Sequence, residues 1–300
     1  MSFLDQIFDA RANPVSTNSR NSYRRNLVKL NGGEPVTSYD FLTDPKKIMK
    51  SIEHLSPNTQ KSYVIAISSI LKNSGLEELY NAYFQIMTGL NSRLSVNTVK
   101  SESQKANWIS QEGIKALRES MRKALPKTRA ISKGDQNKVL DYLVICLYTL
   151  TAPRRNLDYS LMKCSSDMSD KNFNYLDMPN SRFIFYNYKT AGTYHAVEVS
   201  IEPDLMAVLK LYLKSHPFSS KLKNKTFSFF LLLKDGEPLK SSADMTRILN
   251  GIFGKQVGAS LLRNIYLTSK YGKIVNDLKK DVKIMGTSVN VALGTYIKTS

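Results

Sequence analysis

The sequence predicts a mainly α-helical protein with one small antiparallel β-hairpin or sheet, an α+β chain in two domains. Three observations predict it. Apolar residues recur at three- and four-residue spacing through most of the chain. Arg182–Tyr188 and Tyr194–Ile201 alternate instead in the strand manner around Thr190-Ala191-Gly192-Thr193, a hairpin signal. Three hundred residues suit two cores better than one, and the helical rhythm lapses between residues 92 and 107. We therefore expect a helical domain over 1–91, an exposed linker over 92–107 and a second domain over 108–300.

In the first part, Asn18–Leu30 reads as a short basic helix with Tyr23, Leu27 and Leu30 on one face. The run Asn31-Gly32-Gly33-Glu34-Pro35 stops it. Pro45–His54 is a second helix. Ser56 then N-caps a third, with Pro57 in its first turn and Tyr63, Ile67, Ile70 and Leu71 on its buried face. A fourth runs from Glu77 to Leu90, giving a four-helix unit. The linker is polar, and its Lys100 and Lys105 are candidates for tracking phosphates beside the plainer reading of a solvated charge run.

The second part restarts with Trp108–Lys123, where Ile114, Leu117 and Met121 keep helical spacing. Val139–Leu150 is apolar enough for a core helix and ends at Thr151-Ala152-Pro153. After the hairpin come a helix at Pro203–Leu213, a short apolar strand or buried segment at Phe227–Leu233, and helices at Ser241–Phe253 and Val257–Ser269. A charged stretch, Asp277–Val282, precedes a tail helix that Ser288 caps and that carries Tyr296 after about three turns.

Charge narrows the function classes. The formal net charge is +18, a field that attracts polyanions, of which nucleic acid is the commonest for such a chain. The excess is uneven: 13 Lys/Arg face 9 Asp/Glu in residues 1–107, against 30 facing 16 in the rest. A membrane surface is the rival polyanion, but neither a basic amphipathic helix nor a long apolar run supports it. Cys146 and Cys164 have no metal-ligand spacing and no disulfide framework, which suits a reducing compartment. Asp5 and Asp9 interrupt the first ten residues, so no signal peptide is expected.

Four residues carry candidate chemistry. Arg154 and Arg155 follow a buried helix at once, and Asp158 stands one helical turn beyond Arg155, where it can fix a guanidinium. Lys189 stands at the entrance to the hairpin turn, where by itself it reads as an edge-guarding lysine. Arg263 is embedded among Leu261, Leu262, Ile265 and Tyr266, and an arginine so placed needs a partner that a phosphate would supply. Tyr296, alone, would read as an amphipathic ring with a wet hydroxyl. His195 on the second strand reads as structural.

In order these are an arginine, a hairpin lysine, a Leu-Arg pair on a helix, and a tyrosine nine residues after the slot that follows Met285-Gly286. That order resembles the tyrosine recombinase (integrase) family, and is most similar to the recombinases encoded by large DNA viruses and related mobile elements. The resemblance covers 108–300, and more loosely the helices before it. It implies an N-terminal helical core-binding domain and a catalytic domain. It further implies a site-specific recombinase acting on double-stranded DNA as a homotetramer on paired sites, with neither metal nor cofactor. The implied setting is intracellular, wherever the target DNA lies. Arg155, Lys189, Arg263 and Tyr296 take the catalytic positions. A second frame, with the family's threonine three residues before the arginine, selects Arg154 instead.

The resemblance also implies roles. Tyr296 is the nucleophile, Arg155 and Arg263 clamp the transition-state charge, and Lys189, desolvated in a groove, gives a proton to the leaving 5′-oxygen. Two positions depart from the family. Ser260 stands where His or Lys is usual, and Thr287 where His or Trp is usual; both can hydrogen-bond phosphate but shuttle protons poorly. We expect Ser260, Thr287, Arg154 and Asp158 to assist at the phosphate, and Arg24, Arg25, Lys61, Lys100, Lys105 and Arg247 to touch DNA elsewhere. The departures keep two other readings open: a DNA-binding relative that has lost cleavage, and a type IB topoisomerase-like nicking-closing enzyme.

Overall fold

The computed structural model describes residues 1–93, 99–126, 133–165, 167–216, 229–233 and 236–298. The chain is mostly helical, with a three-stranded antiparallel sheet, and divides into two compact units at Lys100/Ser101.

The first unit holds α1 (Phe3–Asp9), α2 (Thr17–Leu30), a 3-10 turn at Asp40–Leu42, α3 (Pro45–Ser51), α4 (Pro57–Leu71) and α5 (Glu77–Arg93). Ser56 caps α4 through an N–H donated by Thr59, and Pro57 occupies the first turn. Tyr63, Ile67, Ile70 and Leu71 are all buried, as their spacing requires, and Leu27, Leu42 and Tyr83 close the same core. Each such side chain contributes about 1.5–3 kcal/mol. The helix α1 was not expected: its two core residues, Leu4 and Phe8, are too few to mark a periodic face in sequence.

The second unit begins with α6 (Glu102–Asn107), inside the stretch expected to be an exposed linker. Ser101 and Gln104 form a capping box, and the Asn107 side chain accepts the Gln256 N–H at 3.0 Å. Those two ties overturn the linker reading for residues 101–107. Next come α7 (Gln111–Lys123), α8 (Lys133–Thr149), α9 (Asn156–Ser160), β1 (Tyr175–Asp177), β2 (Arg182–Phe185), a helical turn α10 (Ala191–Tyr194) and β3 (Val197–Ser200). The remaining elements are α11 (Pro203–Ser215), α12 (Ser242–Phe253), α13 (Ala259–Ile284) and α14 (Val289–Val291), which runs into a π-helical turn at Ala292–Tyr296.

The core of this unit is built on α8, whose Val139–Tyr148 stretch is buried except at Asp141. The sheet runs β1-β2-β3 in order, with Phe183 paired to Val199 and Phe185 to Val197. Its strands are shorter than expected, and no tight turn joins β2 to β3. Residues 186–196 make a longer connection instead, containing α10 and a left-handed His195 (φ 55°). Of the apolar stretch at Phe227–Leu233, residues 227–228 lie outside the described residues; Phe229 and Leu232 form isolated bridges to Lys163 and Pro238.

The largest departure concerns the tail. The expected helix at Val257–Ser269 and the charged stretch after it are one continuous helix of 26 residues. Only Gly272 interrupts its propensity, and an isolated glycine is tolerated inside a helix. Gly286 ends it in the left-handed region (φ 69°), and the Thr287 N–H reaches back to the Val282 carbonyl at 2.9 Å. No described helix is long and apolar enough to cross a membrane.

Candidate active site

Four of the expected residues line one open groove of about 520 Å³: Arg155, Lys189, Ser260 and Arg263. They come from separate elements. Arg155 is the residue before α9, Lys189 lies between β2 and α10, and Ser260 and Arg263 sit in the first turns of α13. The groove lining contains no Asp or Glu. Among the described residues, Arg155, Lys189 and Arg263 make no ion pair and no side-chain hydrogen bond.

A helix terminus adds to this field. Gly258 precedes α13 and offers no side chain to cap it, while Gly258, Ala259 and Ser260 all line the groove. The free N–H groups of a long helix carry partial positive charge, worth about 0.3–1 kcal/mol to a nearby anion. The groove is thus built for an anion with several acceptor oxygens. Lys189 is exposed rather than desolvated.

The two arginine frames are separated by geometry. Asp158 grips Arg154, not Arg155: Arg154 Nε donates to Asp158 Oδ2 at 2.9 Å. This corrects the expected pairing, because Arg154 stands four residues back from Asp158, the helical neighbour spacing. The Arg154 guanidinium also stacks 3.7 Å over the Phe185 ring and lies 5.2 Å from the Tyr188 centroid. Arg154 is therefore committed within the protein, and Arg155 is the arginine left to the groove. Asp158 is buried, and desolvation raises its carboxyl above the usual range against the opposing pull of Arg154.

Several residues that position this site were not singled out from sequence. Asn156 accepts from the Tyr148 hydroxyl at 2.6 Å and donates to the Ser242 carbonyl and Thr246 hydroxyl, locking α9 to α8 and α12. Asn174 donates to the carbonyls of Asp158 and Asn187, and accepts the Asn187 N–H at 2.8 Å. That one side chain ties the segment bearing Arg155 to the segment bearing Lys189. The Tyr188 hydroxyl then donates to the His195 carbonyl at 2.8 Å, closing the loop around Lys189. An asparagine in a turn-rich stretch gives no sequence signal for such long-range partners.

Thr287 and Tyr296 are not in the groove. Thr287 is half-buried and its N–H completes the end of α13; Tyr296 is 59% exposed on the π-helical turn. Along α13 the rise from Arg263 to Ile284 is about 30 Å, and Tyr296 is not among the residues that line the groove.

The expected peripheral contacts are scattered. Arg24 pairs with Asp5, Arg25 is exposed, and Lys61 is half-buried on α4. Arg25 and Lys61 each stand next to the Asn26–Ser62 tether that joins α2 to α4. Lys100 is exposed at the end of the first unit. Lys105 pairs with Glu102 at 2.7 Å. Arg247 pairs with Asp244 and lines a different hollow with Leu140 and Asp141. Among the described residues no group of three or more His, Cys, Asp or Glu gathers as a metal ion would require. Comparison with protein-family models yields no match to this chain, and comparison with curated proteins yields none.

Proposed function

We propose that this chain binds double-stranded DNA and cuts and rejoins its strands through a 3′-phosphotyrosyl intermediate, as a tyrosine-recombinase-like strand transferase. One observation carries the reading: Arg155, Lys189 and Arg263 share a carboxylate-free groove beside an uncapped helix N-terminus. Guanidinium forks match the nonbridging oxygens of a phosphodiester, and the ammonium is a point charge and proton donor. In the proposed step the Tyr296 oxygen attacks phosphorus and its proton passes to solvent. The bond to the 5′-oxygen breaks, and that oxygen takes a proton from Lys189. Attack by a 5′-hydroxyl then regenerates the phosphodiester and frees the tyrosine, so no external energy source is needed.

That Tyr296 does not line this groove sets a condition on this chemistry. Tyr296 serves a phosphate held by another copy, in an assembly of copies that we take to be a homotetramer on paired sites. In support, Leu267, Tyr271, Ile274 and Leu278 recur at four-three-four spacing on the distal part of α13, and the first three are exposed. An apolar stripe of that period suits helix–helix contact.

Mixing two inactive variants tests the reading. Nicked suicide duplexes carrying the end sequences of the encoding element should trap wild-type protein as a covalent adduct. Arg263→Ala and Tyr296→Phe should each give none, and their mixture should restore adducts on the Arg263→Ala chain. A silent mixture would place the tyrosine in its own chain's groove. Persistent adducts with Tyr296→Phe would move the role to Tyr266, one turn beyond Arg263. The separation of Tyr296 from the groove also favours a second reading, a protein that binds DNA without cutting it. Tight binding with no wild-type adduct would select that one.

A further inference from the structure

Arg155 and Arg263 also line a second cleft, of about 380 Å³, whose chemistry is different. Its walls include the rings of Phe185, Tyr188 and Tyr194. A phosphate has no use for such walls, whereas a planar heteroaromatic ring does. The Arg154 guanidinium, stacked on Phe185, also lines the cleft and shows that its rings accept a flat cationic partner. Tyr194 is 67% exposed, with its ring unpaired by any aromatic neighbour among the described residues. Asp158 lines the same cleft and is 2% exposed; among the described residues its Oδ1 accepts no well-formed hydrogen bond, although the Arg155 backbone N–H lies near the carboxylate. Such an oxygen is an acceptor in want of an N–H.

Sharing two arginines with the phosphate groove places this cleft within about one nucleotide of a phosphate bound there. A base stacked in a duplex cannot enter it; an unstacked one can. We propose that the cleft is a pocket for one unstacked, amino-bearing nucleobase, walled by Tyr188 and Tyr194 and read by Asp158. This rests on the DNA-binding reading above and adds to it a second kind of recognition. The base would be held while its neighbouring phosphate lies against Arg155 and Arg263.

The test compares three fluorescein-labelled duplexes by anisotropy: fully paired, with one unpaired adenine, and with an abasic residue at the same bulge. The bulge removes most of the cost of unstacking, so the base itself shows in the affinity. The adenine bulge should bind about tenfold tighter than the abasic bulge. Tyr194→Ala should erase that preference while leaving the paired duplex bound as before. Equal affinity for the two bulges would overturn the pocket and leave the DNA reading standing. A preference that survives Tyr194→Ala would place the base elsewhere and overturn this cleft. Failure of all three duplexes to bind would overturn the DNA reading and the pocket together.

Discussion

Three cations in one groove make unequal predictions for the side chains around it. Arg263 offers two donors to a phosphate and makes no ion pair or side-chain hydrogen bond among the described residues, so Arg263→Ala should slow strand cleavage at least about a hundredfold. Ser260 is exposed in the first helical turn and contributes one hydroxyl beside two arginines, so Ser260→Ala should cost less than about tenfold. Thr287 contributes its backbone N–H to the end of α13, which alanine retains, so Thr287→Ala should leave cleavage nearly unchanged. Single-turnover cleavage across these variants ranks them directly. Equal losses at Ser260 and Arg263 would make the serine an essential group. The choice between Arg154 and Arg155 was open in sequence because both lie one helical turn from Asp158. The ion pair that Asp158 makes with Arg154 and the packing of Arg154 on Phe185, distant in sequence, separate them.

At the scale of elements, the placement of Lys189 depends on Asn174. Replacing it with alanine strands the buried carbonyl of Asp158, at a cost of about 1–3 kcal/mol, and frees the Asn187 carbonyl. Asn174→Ala should also speed amide exchange in 187–190 and lower cleavage, with α8 still protected. The end of α11 gives a pH prediction. Burial of His216 lowers its imidazole pKa from 6.5 to about 4. The unfolded chain therefore binds a proton that the folded one refuses between those values. Stability from this group is full above pH 6.5 and is lost as pH falls towards 4, by roughly 3 kcal/mol. Urea midpoints should show this slope, and His216→Gln should flatten it. The helices with strong caps and periodic faces, α4 and α12 among them, were legible because local signals decide them. The hairpin was legible only as a location. Its alternation is real, but the connection departs from strand geometry, with Asn187 hydrogen-bonded fifteen residues back to Asn172 and Tyr188 to His195 within the connection itself. The tail was misread for the opposite reason: nothing between Ser269 and Asp277 breaks a helix, and charge alone suggested a boundary.

For the whole molecule, the charge distribution and the groove point the same way. The basic excess is concentrated after residue 107, in the unit that holds Arg155, Lys189 and Arg263, and these three make no ion pair among the described residues. The order of these residues was readable in sequence, as was their sharing of a site. The absence of Tyr296 from the groove lining was not, because it depends on how the tail runs after the unbroken α13. The central claim is that the groove seats DNA phosphate. The measurement that tests it most directly is the salt dependence of duplex affinity for the wild-type protein and for Arg155→Ala/Lys189→Ala/Arg263→Ala. A groove that neutralises phosphates releases counter-ions, so the triple variant should bind more weakly. Its plot of log affinity against log salt should be shallower by about 0.9 for each phosphate no longer neutralised. Two parallel lines of equal affinity would show that DNA, if bound, is bound elsewhere.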